Sequence, residues 1–236
     1  MHRITLDLAI KFGSRWHAGT GEGSLTVNRI FRRDSANLPY IPGSTLKGIV
    51  RESCERLCRT FGFPEPHDPH AANIRDKGVF GPLDQVTSPV DALFGNKFES
   101  GEIFFRDVRL DREAEAGKTC EIARTSMYRG LRTVREHHLF TSEYAGEECY
   151  QTTIDGFHQH LLATAQNDIP IAYCLLIAGI LNIDRIGAEK STGCGVVDIS
   201  ITKIEYNGRP IKTEEIFDYL DSEMYEICLE DSMEAV

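Results

Sequence analysis

The sequence predicts an α+β fold, one sheet of strands packed against two helices, and three observations carry that expectation. A strand with period-two apolar alternation opens the chain. Residues 44–61 repeat their apolar side chains every three or four positions, as an amphipathic helix does. A second apolar run, 169–183, is too long for a strand and too short for the roughly 18 residues that would span a bilayer. With strand-like segments between and after them, the order is strand, helix, strand, strand, helix, strand. That is the order of a ferredoxin-like sheet, here interrupted by long insertions.

The elements follow in turn. In residues 3–12, Ile4, Leu6, Leu8, Ile10 and Phe12 share one face, which predicts a half-buried strand. A glycine-rich turn at 19–24 leads into the basic stretch 28–34, which has no helical period and is expected to be an exposed loop. Leu46, Ile49, Val50, Cys54, Leu57 and Phe61 then predict a helix of about four turns, with Ser44 as N-cap and Gly62 as its stop. Residues 62–92, with Pro64, Pro66 and Pro69 near their start, lack any period and read as an irregular insertion. Strand signals return at 101–110 and 149–154. A polar, basic stretch at 124–138 separates them, the buried helix covers 169–183, and a final strand covers 196–206. The whole chain, 1–236, is expected to form a single domain.

Composition excludes several function classes. With 41% apolar and 26% charged residues, the chain is neither disordered nor fibrous. The first 25 residues lack the charged-then-apolar order of a signal peptide, and no membrane association is expected. The seven cysteines are scattered, with no Cys-x-x-Cys pair, which argues for reduced thiols and a cytoplasmic location. The net charge of −10 would ordinarily count against nucleic acid, but it is unevenly placed. Residues 1–60 carry +5 and the remainder −15, and 205–236 hold ten acids against Arg209 and Lys212. One basic face remains compatible with a polyanion.

Two motifs carry chemistry. In the segment 38–48, Leu-Pro-Tyr-Ile-Pro-Gly-Ser-Thr-Leu-Lys-Gly, Gly43 permits close approach, and the first helical amides would point outward with partial positive charge. A phosphate could sit there, aided by Ser44 and Lys47; the alternative is a plain loop-to-helix cap. The phosphate-loop spacing Gly-x-x-x-x-Gly-Lys-Ser/Thr is missing. The second motif, 186–195, combines Gly187, Gly193 and Gly195 with Lys190, Ser191 and Thr192. Alone it reads equally well as a turn between helix and strand. Two such loops in one small α+β chain favour a surface that binds a backbone.

Together these residues resemble the RAMP superfamily of CRISPR effector subunits. The resemblance rests on the His-x-Gly-x-Gly turn at 17–21, the Tyr-Ile-Pro-Gly-Ser-Thr-Leu-Lys-Gly block and Leu93-Phe94-Gly95. It continues through Gly101-Glu102-Ile103-Phe104-Phe105-Arg106-Asp107, Arg124-Thr125, Leu139-Phe140, Glu143 and Ser191-Thr192-Gly193-Cys194-Gly195, in order from about residue 4 to 205. It is nearest the guide-RNA backbone subunit of type III complexes, several copies of which line one guide.

The resemblance implies a modified RRM-like palm holding guide RNA by its sugar-phosphate backbone, without sequence preference. It also implies a protruding hairpin at about 124–150 that interrupts the guide–target duplex. Carried over, Ser44, Thr45 and Lys47 would contact guide phosphates, with Gly43 and Arg51 beside them. His17, Asn28, Arg29, Arg32 and Arg33 would line the groove. Lys190, Ser191, Gly193 and Gly195 would lie close to the RNA, and Arg124, Arg129 and Arg132 would reach it from the hairpin. The implied partners are guide RNA, target RNA, other effector subunits and further copies of the chain.

One departure matters. Members that cut target RNA carry an aspartate in the loop before the Pro-Gly-Ser helix, and the matching position here is Asn28. An amide cannot act as a carboxylate base or metal ligand. The expectation is binding with weak or no cleavage, no cofactor, and magnesium only if target is cut. The rival reading is a metal-dependent endoribonuclease acting through residues 24–34, with Asp34 and His17 as weaker catalytic candidates. A guide-processing ribonuclease using His17 is a third. His67 and His70, with His158 and His160, could bind zinc, although a flexible surface loop explains the first pair as simply.

Overall fold

The structure, a computed structural model, describes residues 1–24, 26–67, 88–96, 100–111, 119–159, 161, 169–213 and 216. The chain is a mixed α/β protein with antiparallel sheets. The opening alternation forms strand β1 (His2–Phe12), with Ile4, Leu6, Leu8, Ile10 and Phe12 all buried. Helix α1 (Gly43–Thr60) follows, then α2 (Pro89–Phe94), β2 (Ile103–Phe105) and β3 (Arg109–Leu110). Next come β4 (Thr119–Tyr128), β5 (Thr133–Ala145), β6 (Cys149–His158), α3 (Ile171–Leu181), β7 (Val197–Tyr206) and β8 (Arg209–Pro210).

The main sheet runs β2-β6-β1-β7-β8, with β3 also on β6, and every pairing is antiparallel. Helices α1 and α3 pack together on the face lined by the buried residues of β1. Residues 171–180 of α3 are all buried, which explains an apolar run with no polar stripe. The two helix axes approach closely where Gly179 faces Cys54. Strands β4 and β5 form a separate two-stranded hairpin. Among the described residues, no helix is long and apolar enough to cross a membrane.

Several expectations need correction. The N-cap of α1 is Pro42, with no side-chain cap; Ser44 lies inside the helix, because Pro42 supplies the carbonyl that accepts from Thr45 and Leu46. The helix has 18 residues, a full turn longer than expected. Residues 101–110 are two short strands rather than one, parted by Arg106, Asp107 and Val108. The supposedly irregular 62–92 contains most of α2, nucleated by Ser88, whose hydroxyl accepts from the Val90 amide, and by Pro89 in its first turn. Residues 68–87 of that insertion lie outside the described residues, as do His70, His160 and most of the acidic tail, 217–236. The basic 28–34 stretch is not simply exposed. Phe31 is buried edge-on against Trp16 at 5.0 Å between ring centroids, and Trp16 in turn stacks on Phe12 at 4.7 Å.

A Cβ added at Gly179 would stand 2.4 Å from the Cys54 sulfur. Gly179→Ala should therefore cost about 1–3 kcal/mol by overpacking. Cys54→Ala in the same chain should recover much of that loss, so a double-mutant cycle read by urea midpoints should show coupling rather than additivity.

Candidate nucleic-acid interface

Beyond β1 the chain turns along one edge of the sheet and meets the hairpin base and the second glycine loop. His17 sits at the centre of that junction. Its ring is 4% exposed, and Nδ1 lies 2.7 Å from the Glu143 carbonyl. The Ala188 amide donates to the His17 carbonyl at 2.8 Å. A Cβ at Gly187 would come within 2.6 Å of that same carbonyl, and one at Gly19 within 2.7 Å of the ring's Nε2. His17 is thus enclosed by three backbone segments. It fixes their spacing and is placed neither as an accessible base nor as an RNA contact.

The basic loop divides its side chains between structure and surface. Asn28 accepts the Thr141 amide through Oδ1 at 2.8 Å, and its own amide donates to the Thr141 carbonyl, so this side chain pins the loop to β5. Arg33 is half-buried, ion-paired with Glu143, and donates to the Asn37 carbonyl at 2.9 Å. It holds the loop rather than lining a groove. Asp34 accepts the Ala36 and Leu38 amides through Oδ1, the arrangement of an Asx turn, while Oδ2 lies 3.8 Å from Arg109. Oδ1 is committed to the turn, and Oδ2 faces the Arg109 guanidinium. Arg32 is exposed, and the Arg29 side chain is 52% exposed.

The start of α1 differs from a bare phosphate cradle. The Gly43 amide donates to Asp107 Oδ1 at 3.0 Å, so the chain's own carboxylate already lies at the positive end of the helix. Gly43 is required for packing, since a Cβ there would stand 2.2 Å from the Phe105 carbonyl oxygen. Ser44 and Thr45 are exposed beside this carboxylate. Lys47 reaches the Ile103 carbonyl at 3.4 Å, and burial, then the neighbouring Arg51, hold its ammonium below the ordinary lysine range. Arg51 points away from the loop edge, into a cluster with Glu55, the Gly95 carbonyl and buried Asp91. It joins α1 to α2.

Hairpin and glycine loop meet at Glu189, a residue in the left-handed region with φ of 61°. Its Oε2 accepts from Arg124 at 2.5 Å and from the Tyr144 hydroxyl at 2.8 Å, and Oε1 lies 3.4 Å from Arg29. The Tyr144 ring also has Arg15 at 5.3 Å and Arg124 at 5.4 Å from its centroid, both cation–π distances. Burial opposes ionisation of Glu189, yet the hydrogen bonds from Tyr144 and Arg124 and the two arginine charges outweigh it, leaving its carboxyl below the usual range. In the same loop Gly195 is filled on its open side by the Ile186 carbonyl, 2.1 Å from any Cβ, so its role is packing. Gly193, with φ of 89°, faces open space, flanked by exposed Ser191 and Thr192 and half-buried Lys190. At the far end of the hairpin, Arg129 and Arg132 are exposed in the turn, and Arg135 lies over Tyr128 at 4.4 Å.

Comparison with known proteins fits this assembly. The sequence model of the RAMP superfamily matches residues 9–198. The chain belongs to the RAMP superfamily. Over 223 residues it is 28% identical to the CRISPR system Cms endoribonuclease Csm3 of Mycobacterium tuberculosis (strain ATCC 25618 / H37Rv), covering 85% of this chain and 86% of that one. Its fold is similar to chains in two cryo-EM structures of the Type III-B Cmr-beta, one bound to cognate target RNA and one in the apo state. Both give a TM-score of 0.56 at 12% identity and cover 84% of this chain. They cover 96% and 97% of the matched chains.

Within this RAMP chain, the residues that build the edge are partly ones the sequence did not mark. Glu143 stood in the motif without a role; Asp107 was quoted but not read as a helix cap. Tyr144, Glu189 and Arg15 carried no signal, because their meaning depends on contacts between segments more than 40 residues apart. Of the histidines that could have bound zinc, the two that the structure describes have other partners. His67 Nδ1 lies 2.7 Å from Asp91, and His158 Nδ1 lies 2.8 Å from the Tyr173 hydroxyl. Among the described residues, no three His, Cys, Asp or Glu side chains are grouped to hold a metal.

The open face of the sheet is built differently. Asp7 accepts from Thr153 at 2.7 Å, Asp155 pairs with Arg106 at 2.9 Å, and Lys203 pairs with Glu205 at 2.9 Å. Carboxylates run through this face, and Arg106 and Lys203 are paired with them, while Arg3 and Lys11 lie exposed on the same side of β1.

Removing the Glu143 carboxylate would strand the Phe31 amide and the half-buried Arg33. Glu143→Ala should lower unfolding free energy by about 2–3 kcal/mol, and Glu143→Gln by less, since it keeps one acceptor. The depressed pKa of Glu189 gives a signed pH dependence. Its stabilisation is fully present above the ordinary carboxyl pKa and is lost as pH falls through its own lower value. Urea midpoints of wild type and Glu189→Gln should therefore differ at pH 7 and converge only once pH has fallen well below the ordinary carboxyl range.

Proposed function

We propose that this chain is an RNA-binding subunit of a type III CRISPR interference complex, holding guide RNA by its backbone in antiviral defence. The observation that carries the reading is the convergence of three separate segments on one edge. The basic loop presents Arg29 and Arg32, the base of the hairpin presents Arg124, and the glycine loop presents Ser191 and Gly193. Arginines and exposed hydroxyls of this kind grip phosphate and sugar without reading bases. The strand order 2-3-1-4 of β2, β6, β1 and β7, all antiparallel, supports reading the sheet as a ferredoxin-like, modified RRM-like palm. Family membership and the Csm3 and Cmr-beta likenesses support the placement in a cytoplasmic complex with target RNA, other subunits and further copies of this chain.

A second reading, a metal-dependent endoribonuclease acting through residues 24–34, is favoured by the name of the mycobacterial relative. The residues in that loop do not fit a magnesium site. Asn28 is an amide whose oxygen is taken by the Thr141 N–H, and Asp34 is used by its turn. We therefore assign the chain binding with little or no cutting of its own.

Two measurements test this. Labelled single-stranded RNAs of unrelated sequence should bind with similar affinity, falling steeply with salt, and a combined Arg29→Ala and Arg32→Ala change should weaken all of them about equally. A flat salt response, or strong preference for one sequence, would defeat the reading. In the assembled complex with magnesium, complementary RNA should stay intact. Asn28→Asp keeps the oxygen that accepts from Thr141 and adds a carboxylate, so any gain in cutting should appear in that variant; equal cutting by wild type would establish the nuclease reading instead.

A further inference from the structure

Glu189 is unusual in three respects that its neighbours do not share. It occupies a left-handed backbone conformation that a non-glycine residue adopts at a cost. Its single carboxylate faces two arginines from different segments, Arg29 of the basic loop and Arg124 of the hairpin, and it also accepts the Tyr144 hydroxyl. It lies beside the opening at Gly193, where nothing stands within 4 Å of a Cβ position, and its side chain is still 15% exposed. A carboxylate held by two guanidiniums and a phenol hydroxyl occupies the kind of position a phosphate takes, because the donor geometry suits either anion.

We propose that Glu189 is an internal stand-in for an RNA phosphate, neutralising Arg29 and Arg124 in the free chain and yielding them when a phosphate arrives. This inference rests on the RNA-binding reading above and deepens it. The exchange is one of partners: the Arg29 and Arg124 N–H groups leave carboxylate oxygens for phosphate oxygens, and Glu189 turns outward past Gly193. Arg29, with the longer and more exposed contact at 3.4 Å, leaves first; Arg124 is held at 2.5 Å and also by the Tyr144 ring. In the free chain the pairing keeps the hairpin base and the glycine loop in register with no ligand present. Its consequence for binding is a threshold. Loose or partial contacts cannot displace the carboxylate, whereas a backbone that engages several positions at once can.

The test uses the full chain and a fluorescently labelled single-stranded RNA of arbitrary sequence, titrated over a range of salt concentrations. Glu189→Gln keeps an oxygen for Tyr144 and removes the competing charge. It should bind about threefold to fivefold tighter at low salt. Its plot of log affinity against log salt should steepen by about 0.7, one more phosphate's worth of counterion release for a single strand. Glu189→Ala, which also removes the acceptor, is the second variant, and thermal melting confirms that each is folded. Weaker binding by a folded Glu189→Gln, or an unchanged slope, overturns the proposal and leaves Glu189 as a structural clamp. Arg29→Ala separates the two levels of the argument. If it weakens RNA binding while Glu189→Gln fails to tighten it, the stand-in role fails and the RNA-binding reading survives. If Arg29→Ala and Glu189→Gln both leave binding unchanged, this edge is not the RNA surface and both fall.

Discussion

The functional edge depends on two consecutive residues at the base of β5. Successive side chains of a strand leave opposite faces, so Glu143 and Tyr144 address two different loops from one backbone position. Glu143 takes Arg33 and the Phe31 amide of the basic loop, and its carbonyl takes His17. Tyr144 takes Glu189 of the glycine loop and has Arg15 and Arg124 at its ring. The hairpin therefore joins segments far apart in sequence, and the arginines left exposed point where these two contacts aim the loops.

This arrangement accounts for an acidic chain that exposes arginines along one edge. Total charge says little when carboxylates are spent internally. Glu143, Glu189 and Asp107 each neutralise or cap something at the loop edge, and Asp7, Asp155 and Glu205 on the open sheet face meet Thr153, Arg106 and Lys203. What remains at the edge is a set of partly exposed arginines, hydroxyls and one unfilled glycine position, on a scaffold whose core of α1, α3 and β1 lies behind it.

Much of the fold was legible because its signals are local. The alternation from Ile4 to Phe12, the three-and-four spacing from Leu46 to Phe61 and the apolar run of α3 each name their element without reference to the rest. The misses have physical causes. Pro42 stops its own side chain from capping α1, so the Ser44 hydroxyl looked like the cap. The short helix α2 offers a single turn and a half, too little for a period to show. At the site, residue type marked Arg33, Arg51, His17, Gly43 and Gly195, but not that each meets a partner from another segment within the chain. Asn28 was read for what it lacks as a catalyst, whereas its positive role is to hold the loop against Thr141.

The most direct test of the account is a footprint: backbone hydrogen exchange of the full chain with and without single-stranded RNA. The account predicts slowed exchange at the basic loop, the base of β4 and β5, and residues 187–195, with little change along β1, β6 and β7. Protection concentrated on the open sheet face, with the loop edge unchanged, would contradict it.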